Sequence, residues 1–273
     1  MAHQQVSCLT LLDLSAAFDT IDHSILLQRL GSWFGLNGIV LNWFKSYLSS
    51  RSFPVTCRSF FSTPISSLFG VPQGSVLGPI LFILYTTPLS TLISSLSTGH
   101  HLYADDTQLF ISFIPTAFDH AISHLNNTLE AVSSWMSANL LTLNHSKTDF
   151  LLIGLPTQLS KISNPSLSPD SSICILPSPA ARNLGFLIDQ HLSLSNQISA
   201  LSRNCFLKTS DLRRVRPFLD LKTAQTIATS IVHSKLDYCN SLYFALPVKQ
   251  LNRIQLKIQF NSKFSRSCHC LCI

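Results

Sequence analysis

Two adjacent carboxylates, Asp105 and Asp106, stand at the end of a long uncharged stretch. Residues 59–104 contain no Asp, Glu, Lys or Arg. The sequence around the pair, HLYADDTQLF (residues 101–110), sets short apolar runs on either side of the acids and predicts a β-hairpin whose turn carries both charges. Side by side, two carboxylates repel by about 4 kcal/mol at ~4 Å and an effective dielectric of ~20. A divalent cation removes that cost, and Mg²⁺ characteristically takes one or two carboxylates together with substrate phosphates. A solvated turn is the alternative for a bare Asp-Asp pair, since Asp favours turns.

Composition narrows the field. With 46% hydrophobic residues, the 273-residue chain is not disordered and can bury a sizeable core. Only 12% of residues are charged, about half the usual share, which suggests surface that a partner covers. The formal charge of +6 suits a polyanionic partner such as nucleic acid, and equally an anionic membrane surface. The eight cysteines are mostly scattered among apolar neighbours, and the chain opens MAHQQ without a secretory leader. Reduced, intracellular thiols are therefore expected. The terminal Cys268, Cys270 and Cys272 alternate, a spacing that fits zinc ligation poorly. Residues 71–96 are long and apolar enough for a membrane span. Pro72, Gln73, Pro79 and Pro88 interrupt them and no basic cluster flanks them closely, so no membrane association is expected.

Along the chain, residues 6–12 read as a short buried strand ending at Asp13. Residues 24–30 read as a helix with Ser24 as N-cap, and residues 39–48 as a second helix whose aromatics, Trp43 among them, pack in the core. Two strands are expected at 51–57 and 60–67, then a buried helix at 75–85 with Pro79 in its first turn. After the Asp-Asp hairpin, residues 117–138 form an amphipathic helix. Phe118, Ile122, Leu125, Leu129, Val132 and Met136 make its stripe, Thr116 and Asp119 a capping-box-like start, and Asn139 its end. Residues 140–154 return to extended structure and residues 157–179 are loops around a weak strand at 172–176. A further strand is expected at 184–188. From residue 192 the pattern is helical and basic. The fold class is α+β: an antiparallel sheet carrying the acids with helices behind it, then a mostly helical region.

Four stretches in order, LLDLSAAFDTIDH (residues 11–23), GVPQGSVLGPILF (70–82), YADD (103–106) and NLGFLID (183–189), resemble the palm of a reverse transcriptase. The similarity is to the enzymes of non-LTR retrotransposons, the long interspersed element type, and runs from about residue 6 to residue 261. It implies an RNA-directed DNA polymerase that uses two Mg²⁺ or Mn²⁺ ions, deoxynucleoside triphosphates, and a DNA primer on an RNA template. Asp13 and Asp105 would bridge both ions, with Asp106 as third ligand. Leu14, Phe18, Gln73 and Gly74 would line the nucleotide site, with Phe18 under the sugar as a barrier to a ribose 2′-OH. Lys147 would lie near the pyrophosphate as a general acid or as a balance of charge. Leu184 and Gly185 would grip the primer end, and Arg213, Arg214 and Arg216 would follow duplex phosphates.

The resemblance also implies domains: a palm over 1–190, a thumb-like helical region over 191–265, and a frameshifted or disordered tail over 266–273. The fingers and endonuclease of such enzymes have no counterpart in the chain, which reads as a truncated copy. The alternative to a polymerase is a catalytically inactive remnant that at most binds nucleic acid. A nuclear location is expected from the family, and no oligomeric state is implied. SKLDYCNSL (234–242) resembles a segment of the same clade and carries no mechanistic expectation.

Overall fold

The computed structural model describes residues 5–253 except 50, 73, 171, 172 and 245. The terminal cysteines and the tail over 266–273 lie outside the described residues. The chain divides into two compact units between Ser178 and Pro179.

The first unit begins with β1 (Val6–Leu12) and the short β2 (Leu14–Ser15), followed by α1 (His23–Ser32) and α2 (Gly38–Leu48). Four two-residue strands come next: β3 (Ser52–Phe53), β4 (Thr56–Cys57), β5 (Phe60–Phe61) and β6 (Ile65–Ser66). Then follow α3 (Leu77–Ser95), β7 (Gly99–Tyr103), β8 (Asp106–Phe113) and α4 (Phe118–Ala138). The unit closes with β9 (Thr142–Leu143), β10 (Asp149–Ile153), α5 (Pro156–Leu159), β11 (Leu167–Asp170) and β12 (Ile173–Ile175). Its main sheet has the order β10-β1-β8-β7, antiparallel throughout. β1 is an inner strand, and its alternation places Val6, Cys8, Thr10 and Leu12 on one buried face. Burial pushes the Cys8 thiol up to about 12, which makes it a packing residue, not a reactive one.

α4 buries the stripe that the sequence predicts, Phe118 through Met136, and ends at Asn139. Its N-cap is Ala117 with no side-chain cap, because Pro115–Ala117 form a 3-10 turn where a capping box was expected. α1 is capped by Asp22, whose carboxylate accepts from the Ile25 amide at 2.9 Å; the Ser24 hydroxyl donates to that same carboxylate. α3 runs ten residues beyond the expected end, straight through Pro88. An interior proline costs ~3 kcal/mol or more. Burial of Leu81, Phe82, Tyr85, Leu89 and Ile93 offsets it, at roughly 1.5–3 kcal/mol per large apolar side chain. By length and composition α3 is apolar enough to cross a membrane, yet these side chains are seated in the protein core.

The segment after α2 folds as two nested hairpins, β3 with β6 and β4 with β5, and all eight strand residues are exposed. α2 also departs from expectation. Phe44 and Tyr47 pack against the core, but Ile39 is 89% exposed and Trp43 53%. Trp43 is held on the surface by stacking on Tyr47, with ring centroids 5.6 Å apart.

A buried arginine ties three helices together. Arg29 of α1 donates to the Tyr85 carbonyl of α3 and to Asn139 Oδ1 at the end of α4. Its guanidinium lies 4.6 Å from the Tyr85 ring and 5.1 Å from the Trp135 ring. The Tyr85 hydroxyl completes the knot by donating to the Asn139 carbonyl at 2.7 Å.

The second unit contains β13 (Ala180–Asn183), β14 (Phe186–Asp189), α6 (Ser195–Val215) and α7 (Leu221–Asp237). β13 and β14 form a hairpin of their own. The strand expected at 184–188 is the turn and second strand of this hairpin. Asp189, nearly buried, tethers the hairpin to the start of α6 by accepting from the Ser193 amide at 2.9 Å and the Leu194 amide at 2.7 Å. Phe186, Leu194, Ile198, Leu201, Cys205 and Tyr243 form the core.

Candidate active site

Strand register brings the acids to one edge of the sheet. Leu12 pairs with Thr107, so the next residue on each strand sets Asp13 opposite Asp106. Asp105 and Ala104 make the two-residue turn between β7 and β8, closed by the pairing of Tyr103 with Asp106. Ala104 has φ +52°, in the left-handed region that costs a non-glycine residue roughly 1–2 kcal/mol. The ladder on both sides of the turn holds it there.

On its other flank Asp13 meets Lys147. Leu11 pairs with Asp149, whereas Leu14 pairs with Leu143. The facing chain thus carries three more residues over this interval, and His145–Lys147 take them up as a 3-10 turn. That turn delivers the Lys147 ammonium to 3.0 Å from Asp13 Oδ2. The oxygen is buried and accepts no hydrogen bond of good geometry, so the ammonium meets it as a charge partner only.

The carboxylates also feel one another. Burial, then the neighbouring Asp105 and Asp13 charges, push the Asp106 carboxyl above its ordinary value. Protonated Asp106 therefore favours the fold, and that contribution is lost as pH rises through its folded pKa. Among the described residues no three His, Cys, Asp or Glu side chains stand gathered as a ready-made metal centre. The donor set nevertheless fits a divalent cation. Asp13 presents a buried oxygen short of hydrogen bonds, and Asp106 is burdened by like charge that a cation would relieve.

The loop after Asp13 is laced to the corner that precedes α3. The Gly70 amide donates to the Ile21 carbonyl at 2.8 Å and the Val71 amide to the Phe18 carbonyl at 2.9 Å. His23 Nε2 lies 2.7 Å from the Gly70 carbonyl oxygen. Gly70 has φ +81°, and a Cβ there would stand 3.0 Å from the Asp19 backbone. Only glycine permits this approach. The sequence alone suggests a turn at Gly70 and another at His23, with no link between them. Asp22 fits the local capping contacts its residue type suggests, but nothing local announces a bond spanning 47 residues.

Of the expected nucleotide-site residues, Phe18 is part-buried, with its ring centroid 5.0 Å from that of Phe82 in α3. Leu14 is buried and paired with Leu143. Gly74 is exposed, with nothing within 4 Å of where a Cβ would stand. Gln73 lies outside the described residues. In the second unit Leu184 and Gly185 form the two-residue turn of the β13–β14 hairpin. Arg213 and Arg214 are exposed in the last turn of α6, and Arg216 follows in a 3-10 turn where it donates to the Leu219 carbonyl at 3.0 Å.

An antiparallel sheet that carries acids from neighbouring strands to one edge, with helices behind it, is the architecture of a polymerase palm. Residues 1–191 match the family described as reverse transcriptase (RNA-dependent DNA polymerase), and the chain belongs to that family. Its relatives include the probable RNA-directed DNA polymerase from transposon BS of Drosophila melanogaster. That protein is 30% identical over 74% of this chain and 22% of its own length. The RNA-directed DNA polymerase from mobile element jockey of Drosophila funebris is 28% identical over 90% of this chain and 27% of its own length. The chain thus spans about a quarter of these relatives. Among solved structures, apo telomerase from Candida tropicalis aligns with a TM-score of 0.49 at 14% identity, covering 94% of this chain and 43% of that one.

Proposed function

We propose that the chain is the catalytic core of a retrotransposon reverse transcriptase, joining a primer 3′-OH to the α-phosphorus of a deoxynucleoside triphosphate with release of pyrophosphate. The observation that carries this reading is the strand register that sets Asp13 opposite Asp106, with Asp105 in the adjoining turn and Lys147 beside Asp13. Asp13 and Asp105 would hold both divalent ions, Mg²⁺ or Mn²⁺, and Asp106 would complete the set. When bound, the ions supply Lewis-acid stabilisation to the attacking and leaving oxygens. Lys147, beside Asp13, would offset the surplus negative charge and meet the departing pyrophosphate as a general acid or a balance of charge.

The template is RNA and the primer DNA, in keeping with the RNA-directed DNA polymerases among the relatives, and basic residues of α6 follow the duplex phosphates. Arg203 and Lys208 are exposed along with Arg213 and Arg214. A nuclear site of action accompanies this reading. Primer-template duplex should bind, and its affinity should fall steeply and log-linearly with salt as counterion release weakens. Fluorescence anisotropy of a labelled DNA primer on an RNA template over a salt series checks this. Binding that ignores salt, or no binding, would contradict it.

Phe18 supports a second expected result. A bulky ring under the sugar excludes a 2′-OH, so Phe18→Ala should raise ribonucleotide use relative to deoxynucleotide use by roughly tenfold or more. Losing the part-buried ring and its contact with Phe82 should cost roughly 2–4 kcal/mol of stability, so the ratio is read on the folded variant. Single-nucleotide extension with matched ribo- and deoxyribonucleotides measures the ratio. An unchanged ratio in a folded variant returns Phe18 to a purely packing role.

A further inference from the structure

The segment SKLDYCNSL (234–242) and the tyrosine after it converge on the hairpin turn of the second unit. That turn is costly by itself. Asn183 pairs with Phe186, leaving Leu184 and Gly185 as a two-residue loop with φ +47° and +83°. Positive φ at both central residues is the I′ pattern, which selects Asn-Gly or Gly-Gly and disfavours leucine. Something outside the loop must hold Leu184 in this form.

The holding groups come from the far end of the unit. The Tyr238 hydroxyl, at the C-cap of α7, donates to the Leu184 carbonyl oxygen. Cys239 then reverses the chain with φ +56°, opening a 3-10 turn over Asn240–Tyr243. This reversal brings Tyr243 beneath the hairpin, its ring centroid 6.0 Å from that of Phe186. Buried Gln197 links the parts, its Nε2 donating to the Tyr243 hydroxyl at 3.1 Å and its Oε1 accepting from the Leu187 amide at 3.0 Å. The two tyrosines thus fix the turn from both sides, one at Leu184 itself and the other through Gln197 just past it. Leu184 remains 38% exposed, so the turn is held and still presented outward.

We propose that Tyr238 is a positioning residue that locks the Leu184-Gly185 turn in the conformation offered to the primer end. The proposal rests on the reading that this turn contacts the primer. Tyr238 acts through the Leu184 carbonyl and does not itself touch the reacting atoms. Duplex affinity as a whole, set by the basic residues of α6, is a separate property.

The test compares the full chain with Tyr238→Phe, which deletes only the hydroxyl, by two readouts. One is hydrogen exchange at the Gly185 and Phe186 amides. The other is photocrosslinking from a diazirine on the terminal primer nucleotide of a DNA–RNA duplex. One lost hydrogen bond should accelerate exchange at the turn by about tenfold or less while distant amides are unchanged. Crosslinks to residues 183–186 should fall several-fold while duplex affinity and the unfolding midpoint stay near wild type. Unchanged exchange at the turn would overturn the clamp. Faster exchange with undiminished crosslinking would overturn its positioning role. A wild-type protein that binds duplex but never crosslinks at the turn would instead refute the primer reading, and the clamp would stand on exchange alone.

Discussion

Replacing Asp105 with asparagine is expected to remove primer extension almost entirely, on the order of 10³-fold or more. Metal-borne stabilisation of the transition state is worth several kcal/mol, and each 1.36 kcal/mol is a factor of ten in rate. The substitution preserves side-chain size at the turn, so the hairpin that pairs Tyr103 with Asp106 should persist and the fold with it. Neutralising one carboxylate should even relieve the like-charge cost that Asp106 carries, giving a metal-free protein at neutral pH no less stable than wild type. Extension of a labelled primer on an RNA template, by this chain or a longer polypeptide containing it, reads the effect. Retained extension by Asp105→Asn would remove Asp105 from the ligand set.

The second large effect falls on stability. Arg29→Ala should destabilise the first unit by about 4–7 kcal/mol. A hydrogen bond from a charged donor is worth roughly 1.5–3 kcal/mol, and Arg29 makes two, while its stacking on Tyr85 and Trp135 adds ~1. Lysine should recover little, because one ammonium cannot reproduce the planar fork that reaches the Tyr85 carbonyl and Asn139 Oδ1 together. All three tryptophans, Trp33, Trp43 and Trp135, precede Ser178, so urea unfolding followed by tryptophan fluorescence reports on this unit alone. A midpoint within error of wild type would show that the three helices do not depend on this knot.

What the sequence reveals of this architecture follows the range of the interactions. β1 was legible to the residue, because an inner antiparallel strand must alternate against the core and Asp13 stops the apolar run. The stripe of α4 was equally plain, as its 3.6-residue period is a local property. The Asp105-Asp106 turn could be placed because charge in an uncharged stretch has few structural uses. Other features depend on distant partners. Ser24 and Asp22 are both good caps by residue type, and the Asp22 bridge to Phe69 belongs to the lacing around Gly70. α3 continues through Pro88 because the surrounding core rewards burial, a tertiary override of propensity. The pairing of Lys147 with Asp13 arises from a three-residue mismatch between two registers, and no composition or period records that. Trp43 departs for the opposite reason, expected in the core and found exposed, while the strands expected at 51–57 and 60–67 each break into two short ones.

The most direct test of the central claim asks where a divalent ion sits on the chain itself. Fe²⁺ can replace Mg²⁺ at carboxylate sites, and with ascorbate and peroxide it cuts the polypeptide beside the bound ion. Cuts should cluster near Asp13, near Asp105 and Asp106, and near Lys147, the three segments that the register brings together. Excess Mg²⁺ should suppress them and Asp13→Asn should abolish them. Cuts scattered along the chain, or clustered away from these segments and indifferent to Asp13→Asn, would contradict the account of a metal-dependent polymerase palm.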